Sequence, residues 1–176
     1  MKKIVLMLII LISVIIAGCS NQYNNEEVIA VVDDKEITVA DVRLFYNPEE
    51  KGLNEAVKDY VKEEIMVQEA KKMGINISEE VEELKAINSP FPQEQTEKQS
   101  EYAKAKAEKL GVTEEEYYKK YLDVSTERSA YITKYLEKEV GQLNEEDTAD
   151  EYTEKVNDYV DSLLVKHSDD IEILIN

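Results

Sequence analysis

The sequence is poor in the residues that build disulfide-linked, metal-bound or loop-rich proteins. Its 176 residues include one cysteine, one histidine, five glycines and three prolines. A single cysteine excludes an internal disulfide and a cysteine-based metal cluster. So few glycines and prolines, with 34% charged residues, fit a mostly helical protein. Tryptophan is absent and phenylalanine occurs twice, so aromatic packing depends on eleven tyrosines, whose hydroxyls need a polar partner or solvent.

Positive charge is also scarce. The sequence has 21 basic and 39 acidic residues, which gives a formal net charge of -18. Such a chain repels phosphate backbones and anionic lipid headgroups, so we predict no nucleic-acid partner. Much of this charge is expected to solvate the outer faces of helices.

Patterns that support catalysis are missing as well. The sequence contains no glycine-rich phosphate loop, metal-ligand spacing, calcium loop or nucleophile elbow. The single histidine, His167, falls in the last turn of a predicted helix and has no thiol or paired base beside it. We therefore predict no catalytic residues, no metal site and no cofactor.

The N-terminal segment has the pattern of a targeting sequence. Lys2 and Lys3 precede an apolar run, Ile4 to Ile16, that only Ser13 interrupts. The following residues, Ile16-Ala17-Gly18-Cys19, resemble a bacterial lipobox. We expect residues 1–18 to be a lipoprotein signal peptide and Cys19 to carry the lipid. An uncleaved signal anchor is the alternative, although the run is short for a membrane span.

The remainder divides into a tether and one domain. Residues 19–27 are polar and lack periodicity, and we interpret them as a lipidated tether; residues 28–176 form the predicted domain. Apolar residues three or four positions apart predict a long helix from about Glu50 to Met73. Lys71 and Lys72 lie in its last turn, where the negative end of the helix dipole favours cations. Gly74 follows and is favourable for ending the helix.

Shorter elements flank this helix. A β-branched run at Val28–Val32 predicts a strand, followed by a turn at Asp33-Asp34. Thr38 is a predicted N-cap, and Thr113 with Glu116 forms a predicted capping box. The other predicted elements are helices from Thr38 to Phe45, Ser78 to Asn88, Gln93 to Leu110, after Thr113, and Glu145 to His167, and a strand at Ile171–Ile175.

Three stretches carry a family resemblance: EEIMVQEAKKMGINIS, VVDDKEITVADV and LGVTEEEYYKKYL. They resemble the N-terminal chaperone module of the SurA and PrsA family of extracytoplasmic foldases. The Asp33-Asp34 pair departs from the family's usual Asn-Gly. The resemblance implies a mostly α fold: a SurA N-terminal-like helical domain with a small two-stranded sheet joining the N- and C-terminal strands. Residues Ile171–Ile175 would then pair with Val28–Val32.

Relatives in this family often carry a parvulin-type prolyl isomerase domain before the last helix. In this chain the corresponding slot, Gly141 to Thr148, holds eight residues, whereas a parvulin domain needs roughly 90, the size of a small domain. We therefore expect the module without its isomerase.

The resemblance implies a membrane-anchored extracytoplasmic chaperone that binds unfolded or exported polypeptides and reaches the membrane through the lipid on Cys19. One alternative is a cell-surface interaction lipoprotein with one dedicated protein partner, and a weaker one is a peptidyl-prolyl isomerase-related protein. The candidate client-binding residues are aromatic: Phe45, Tyr46, Phe91, Tyr117, Tyr118 and Tyr121.

Overall fold

The computed structural model describes residues 23–87, 97–143 and 148–175. The predicted mostly α fold is confirmed. The helices are α1 (Val39–Phe45), α2 (Pro48–Lys51), α3 (Leu53–Lys72), α4 (Ser78–Ile87), α5 (Glu97–Leu110), α6 (Glu114–Glu139) and α7 (Ala149–Lys166), and a short 3-10 turn covers Ser168–Asp170. The strands are β1 (Val28–Val32), β2 (Lys35–Thr38) and β3 (Ile171–Ile173). The predicted signal peptide, Cys19, the start of the tether and Phe91 lie outside the described residues.

The two ends of the domain meet in an antiparallel sheet, as predicted. Val31 lies opposite Glu172, with Ala30 opposite Ile173 and Val32 opposite Ile171. One residue beyond β3, the amide of Leu174 donates to the carbonyl of Ile29 at 2.9 Å. The strand itself ends at Ile173, two residues earlier than predicted.

The prediction of two strands is wrong, because the sheet has three in the order β2-β1-β3. Strand β2 folds back on β1 across the Asp33-Asp34 turn, with Lys35 opposite Val32. Asp33 takes a φ of 51°, a left-handed conformation that aspartate tolerates better than most residues. Strand β2 was missed because it is four residues long, contains one buried side chain, Ile37, and runs directly into α1.

Side-chain caps define where three helices begin. Thr38, Thr113 and Thr148 each accept from the backbone amide three residues later, and a carboxylate there bonds back to the cap. These capping boxes satisfy amides that have no partner within the helix. The predicted helix from Glu50 to Met73 is instead divided into α2 and α3, because Gly52 takes a φ of 84° between them.

Helix α3 is the centre of the domain. It contacts β1 and helices α1, α6 and α7, and its buried residues cover more than one face: Ala56, Val57, Tyr60, Val61, Glu64, Ile65, Met66, Val67 and Ala70. Burying a single valine or isoleucine contributes about 1.5–3 kcal/mol relative to exposure. The main core therefore forms around α3 and includes the inner face of the sheet.

Glu69 connects α3 to the end of α7. Its carboxylate lies 3.1 Å from Lys72 Nζ, 3.4 Å from Lys166 Nζ and 3.6 Å from His167 Nε2. Partial burial would raise the pKa of Glu69, but the hydrogen bond and charge of Lys72, the electrostatic interaction with His167 and the hydrogen bond from Lys166 outweigh burial and lower the pKa.

We predict a pH-dependent effect of Glu69→Gln on the free energy of unfolding. The pKa of Glu69 is lower in the folded protein than in the unfolded chain, where it is about 4.3. The ionised carboxylate therefore stabilises the fold fully above the unfolded pKa, and this stabilisation is lost as the pH falls through the folded pKa. Urea unfolding should show a destabilised variant at neutral pH and a shrinking difference from wild type below about pH 4. Glu154→Gln, on the exposed face of α7, is the control. An equal deficit for Glu69→Gln at neutral and acidic pH would contradict the prediction.

Candidate functional site

Four aromatic rings meet where α1 ends against α3 and α6. We call Phe45, Tyr60, Tyr117 and Tyr121 the aromatic junction. The Phe45 ring centroid lies 6.1 Å from that of Tyr60 and 5.8 Å from that of Tyr121, both in tilted geometry, and Tyr117 stacks on Tyr121 at 6.0 Å. Such pairs contribute about 0.5–1.5 kcal/mol beyond the area they bury.

The structure brings three of the predicted client-binding residues, Phe45, Tyr117 and Tyr121, into this junction. Tyr117 is only 4% exposed, so its ring packs inside the protein. Phe45 and Tyr121 are half-buried. Tyr46 is also half-buried, and its hydroxyl donates to Glu63 Oε1 at 2.6 Å. Tyr118, next to Tyr117 on α6, is half-buried.

A groove adjoins the junction at the turn between α5 and α6. Its volume is about 560 Å³, and we call it the α5–α6 groove; it is lined by Lys104, Ala107, Glu108, Val112, Thr113, Glu114 and Glu115. Ala107 also packs against Leu44 and Tyr117 in a second small core, so this core forms one wall of the groove. The groove thus combines an apolar wall with a charged rim of three carboxylates and one lysine, Lys104.

Local backbone chemistry explains why this groove exists. Helix α5 ends at Leu110, and Gly111 reverses the chain with a φ of 70°. The amide of Val112 then donates to the carbonyl of Ala107 at 3.0 Å, after which Thr113 caps α6. This tight reversal leaves the Val112 side chain 41% exposed between the two helices.

A buried ion cluster beneath the junction was not predicted. Glu64 on α3 is 1% exposed and Arg128 on α6 is 6% exposed. Arg128 Nη1 donates to Glu64 Oε2 at 2.5 Å, Arg128 Nη2 lies 3.2 Å from Glu63, and Lys35 Nζ lies 2.8 Å from Glu64. The guanidinium carbon also lies 4.3 Å from the Tyr60 ring centroid. One signal in the sequence could have found this cluster, since only two of the 21 basic residues are arginines.

These contacts and burial set the protonation states of Arg128 and of three tyrosines near it, Tyr46, Tyr60 and Tyr117. Burial alone would lower the pKa of Arg128, but its interactions with Tyr60, Glu64 and Glu63 raise the pKa above the ordinary arginine value. Burial raises the pKa of Tyr46, Tyr60 and Tyr117, and the hydrogen bond to Glu63 raises that of Tyr46 further. At neutral pH Arg128 is therefore charged, and the phenols are neutral hydrogen-bond donors.

Lys106 ties α5 to the same region and was also not predicted. Its side chain is buried, and Nζ donates to the carbonyl of Arg43 at 2.8 Å and to the carbonyl of Tyr46. Both carbonyls lie at the C-terminal end of α1, where the helix dipole favours a cation. The charge of Lys106 therefore holds α5 against α1.

Comparison of the chain with protein-family models, curated proteins and solved structures found no match. The resemblance to the SurA and PrsA module therefore stays a prediction. Within residues 23–87, 97–143 and 148–175, no group of three or more His, Cys, Asp and Glu side chains is arranged to hold a metal ion. The same ranges contain no helix with the length and apolar character to cross a membrane.

We predict that Arg128→Met destabilises the chain by about 3–5 kcal/mol in urea unfolding, because it leaves Glu64 buried without its main partner. Replacing both Glu64 and Arg128 by methionine should recover most of this loss, since no buried charge is then left behind. Lys71→Met is the matched control, because Lys71 and Glu127 form an exposed ion pair between the same two helices. It should cost less than about 1 kcal/mol. An equal loss in the free energy of unfolding for the two single variants would contradict the assignment of Glu64 and Arg128 as a buried ion pair.

Proposed function

We propose that the chain is a membrane-anchored extracytoplasmic chaperone of the holdase kind, which binds unfolded or exported polypeptides without catalysing a reaction on them. The observation that supports this most is the α5–α6 groove, where Val112 is exposed beside the second core and carboxylates line the rim. An apolar surface bordered by polar groups is typical of sites that bind protein segments.

The size and charge of the groove suit part of a polypeptide rather than a folded domain. Its volume of about 560 Å³ falls within the usual range of about 300–1,000 Å³ for ligand pockets. Glu108, Glu114 and Glu115 attract lysine and arginine side chains that flank an apolar segment. The net charge of -18 helps to keep a complex with such a segment in solution.

Burial supports two proposed roles for the predicted client-binding residues on helices α1 and α6 and at the end of α1. Phe45, Tyr46, Tyr118 and Tyr121 are half-buried and keep part of their surface for a client. Tyr117 is buried and supports the groove from inside by packing against Ala107. Val112 joins the proposed contact residues because it is the exposed apolar side chain of the groove.

We predict that Val112→Asp weakens client protection several-fold. The fragment from Ser20 onward, mixed with an aggregating unfolded protein at equimolar concentration, should suppress light scattering. Aspartate at position 112 places a charge on the apolar wall and removes that contact. Val165→Asp is the matched control, because Val165 is 75% exposed on α7 and lies outside the residues that line the groove. No protection by the wild-type fragment, or equal loss in both variants, would overturn the proposal.

Membrane attachment is the second part of the proposal. The lipobox-like sequence ending at Cys19 supports it, with the positive segment and apolar run that precede it. We predict that Cys19→Ala abolishes incorporation of radiolabelled palmitate and prevents the shortening of the chain by signal cleavage. Ser20→Ala is the control. Continued palmitate labelling of the Cys19→Ala chain would place the lipid elsewhere.

A further inference from the structure

Strand β3 forms one edge of the sheet and pairs on one side only. Its partner is β1, and within the described residues no strand lies on its other side. The side chains of Ile171 and Ile173 pack against the main core, which holds the strand in place. A fixed edge strand presents unpaired backbone groups that another chain can use.

The register identifies these groups. Asp33 donates to the carbonyl of Asp170 at 2.8 Å, and Leu174 donates to the carbonyl of Ile29 at 2.9 Å. The carbonyl of Asp170, the backbone groups of Glu172 and the amide of Leu174 therefore face β1, whereas the amide of Asp170 donates to the carbonyl of His167 at 3.0 Å. Because this direction alternates along an antiparallel strand, the N–H and C=O of Ile173 and the C=O of Ile171 point to the open edge.

The charge next to this edge selects among possible partners. A cleft of about 350 Å³ borders β3, and its lining residues are Val31, Asp33, Asp34, Asp169, Asp170, Ile171 and Glu172. Lys72 pairs with Asp33 at 2.9 Å, and His167 lies 3.3 Å from Asp170. Asp34, Asp169 and Glu172 have no cationic partner among the described residues. Pairing with a second copy would bring these carboxylates together in two chains that each carry a net charge of -18.

We propose that the open edge of β3 binds an extended, basic segment of another polypeptide by strand addition. Backbone hydrogen bonds to Ile171 and Ile173 align the segment, and its lysine or arginine side chains enter the acidic cleft. Strand β3 is three residues long, so the binding is weak and reversible. This surface is separate from the α5–α6 groove, and the proposal does not depend on client binding there.

The test uses the full-length protein in lipid nanodiscs and a fluorescent peptide of alternating lysine and valine, followed by fluorescence anisotropy. Methylating alternate backbone nitrogens of the peptide removes its hydrogen-bond donors along one edge. The peptide methylated on the edge that pairs with β3 should bind at least about fivefold more weakly than the unmethylated peptide, because it loses one hydrogen bond. A peptide of alternating glutamate and valine should not bind.

Variants of the protein separate the backbone and charge contributions. The backbone amide of Ile173 points away from β1, so Ile173→Pro removes this amide without breaking a hydrogen bond to β1. This variant should bind the peptide more weakly. The triple variant Asp34→Asn, Asp169→Asn, Glu172→Gln changes exposed side chains and should also weaken binding. The control triple variant, Glu154→Gln, Asp158→Asn, Asp161→Asn, changes exposed positions of α7 and should leave peptide binding unchanged.

Three results would overturn the proposal. Equal affinity for the methylated and unmethylated peptides would show that charge alone holds the peptide. Equal weakening by both triple variants would show that the attraction is spread over the whole acidic surface. Dimerisation of the wild-type protein in sedimentation that Ile173→Pro abolishes would show that a second copy occupies the edge.

Discussion

The buried pair between Glu64 and Arg128 is the contact on which the arrangement of the helices depends. It joins α3 to α6, and its members are 1% and 6% exposed. Charges removed from water are costly unless each has partners, and here Lys35, Glu63 and the face of Tyr60 supply them. Apolar stripes alone allow two long amphipathic helices to pack in several registers, whereas a buried ion pair between them forms in only one register. We infer that this cluster sets the register of α6 on α3.

The position of the groove follows from that register. Once α6 is fixed, Tyr117 and Tyr121 meet Phe45, and α5 is left to pack on the remaining surface. Helix α5 buries little apolar surface, since its buried positions within residues 99–110 are two alanines, Ala103 and Ala107, and Lys106. The hydrogen bonds of Lys106 to the end of α1 compensate for this small apolar area. Small side chains on α5 leave room at the α5–α6 turn, and the groove opens there.

Local signals in the sequence were sufficient for most of the fold. The caps at Thr38 and Thr113 and the pairing of β3 with β1 were predicted, and α3 ends at Lys72, one residue before the predicted Met73. Each of these features has a short motif or a family resemblance. The third strand and the break at Gly52 were not predicted, since a four-residue strand and a single glycine give weak periodic signals.

The candidate site was harder to predict. Glu64 and Lys106 resemble the many exposed charges around them, and only their contacts with distant residues show that they are buried. Tyr117 resembles a surface aromatic for the same reason: its burial depends on Leu44 and Ala107, which belong to other helices. Contacts between residues far apart in the chain decide burial, and one sequence does not record them.

Crosslinking from residue 112 in living cells tests the central claim most directly. A photoreactive amino acid at position 112 of the full-length chain lies in the α5–α6 groove, and the same group at position 165 serves as the reference. A polypeptide-holding protein should give a broad range of crosslinked products from position 112 and few from position 165. One dominant product from position 112 would instead indicate a dedicated partner, and equal products from both positions would contradict client binding in the groove.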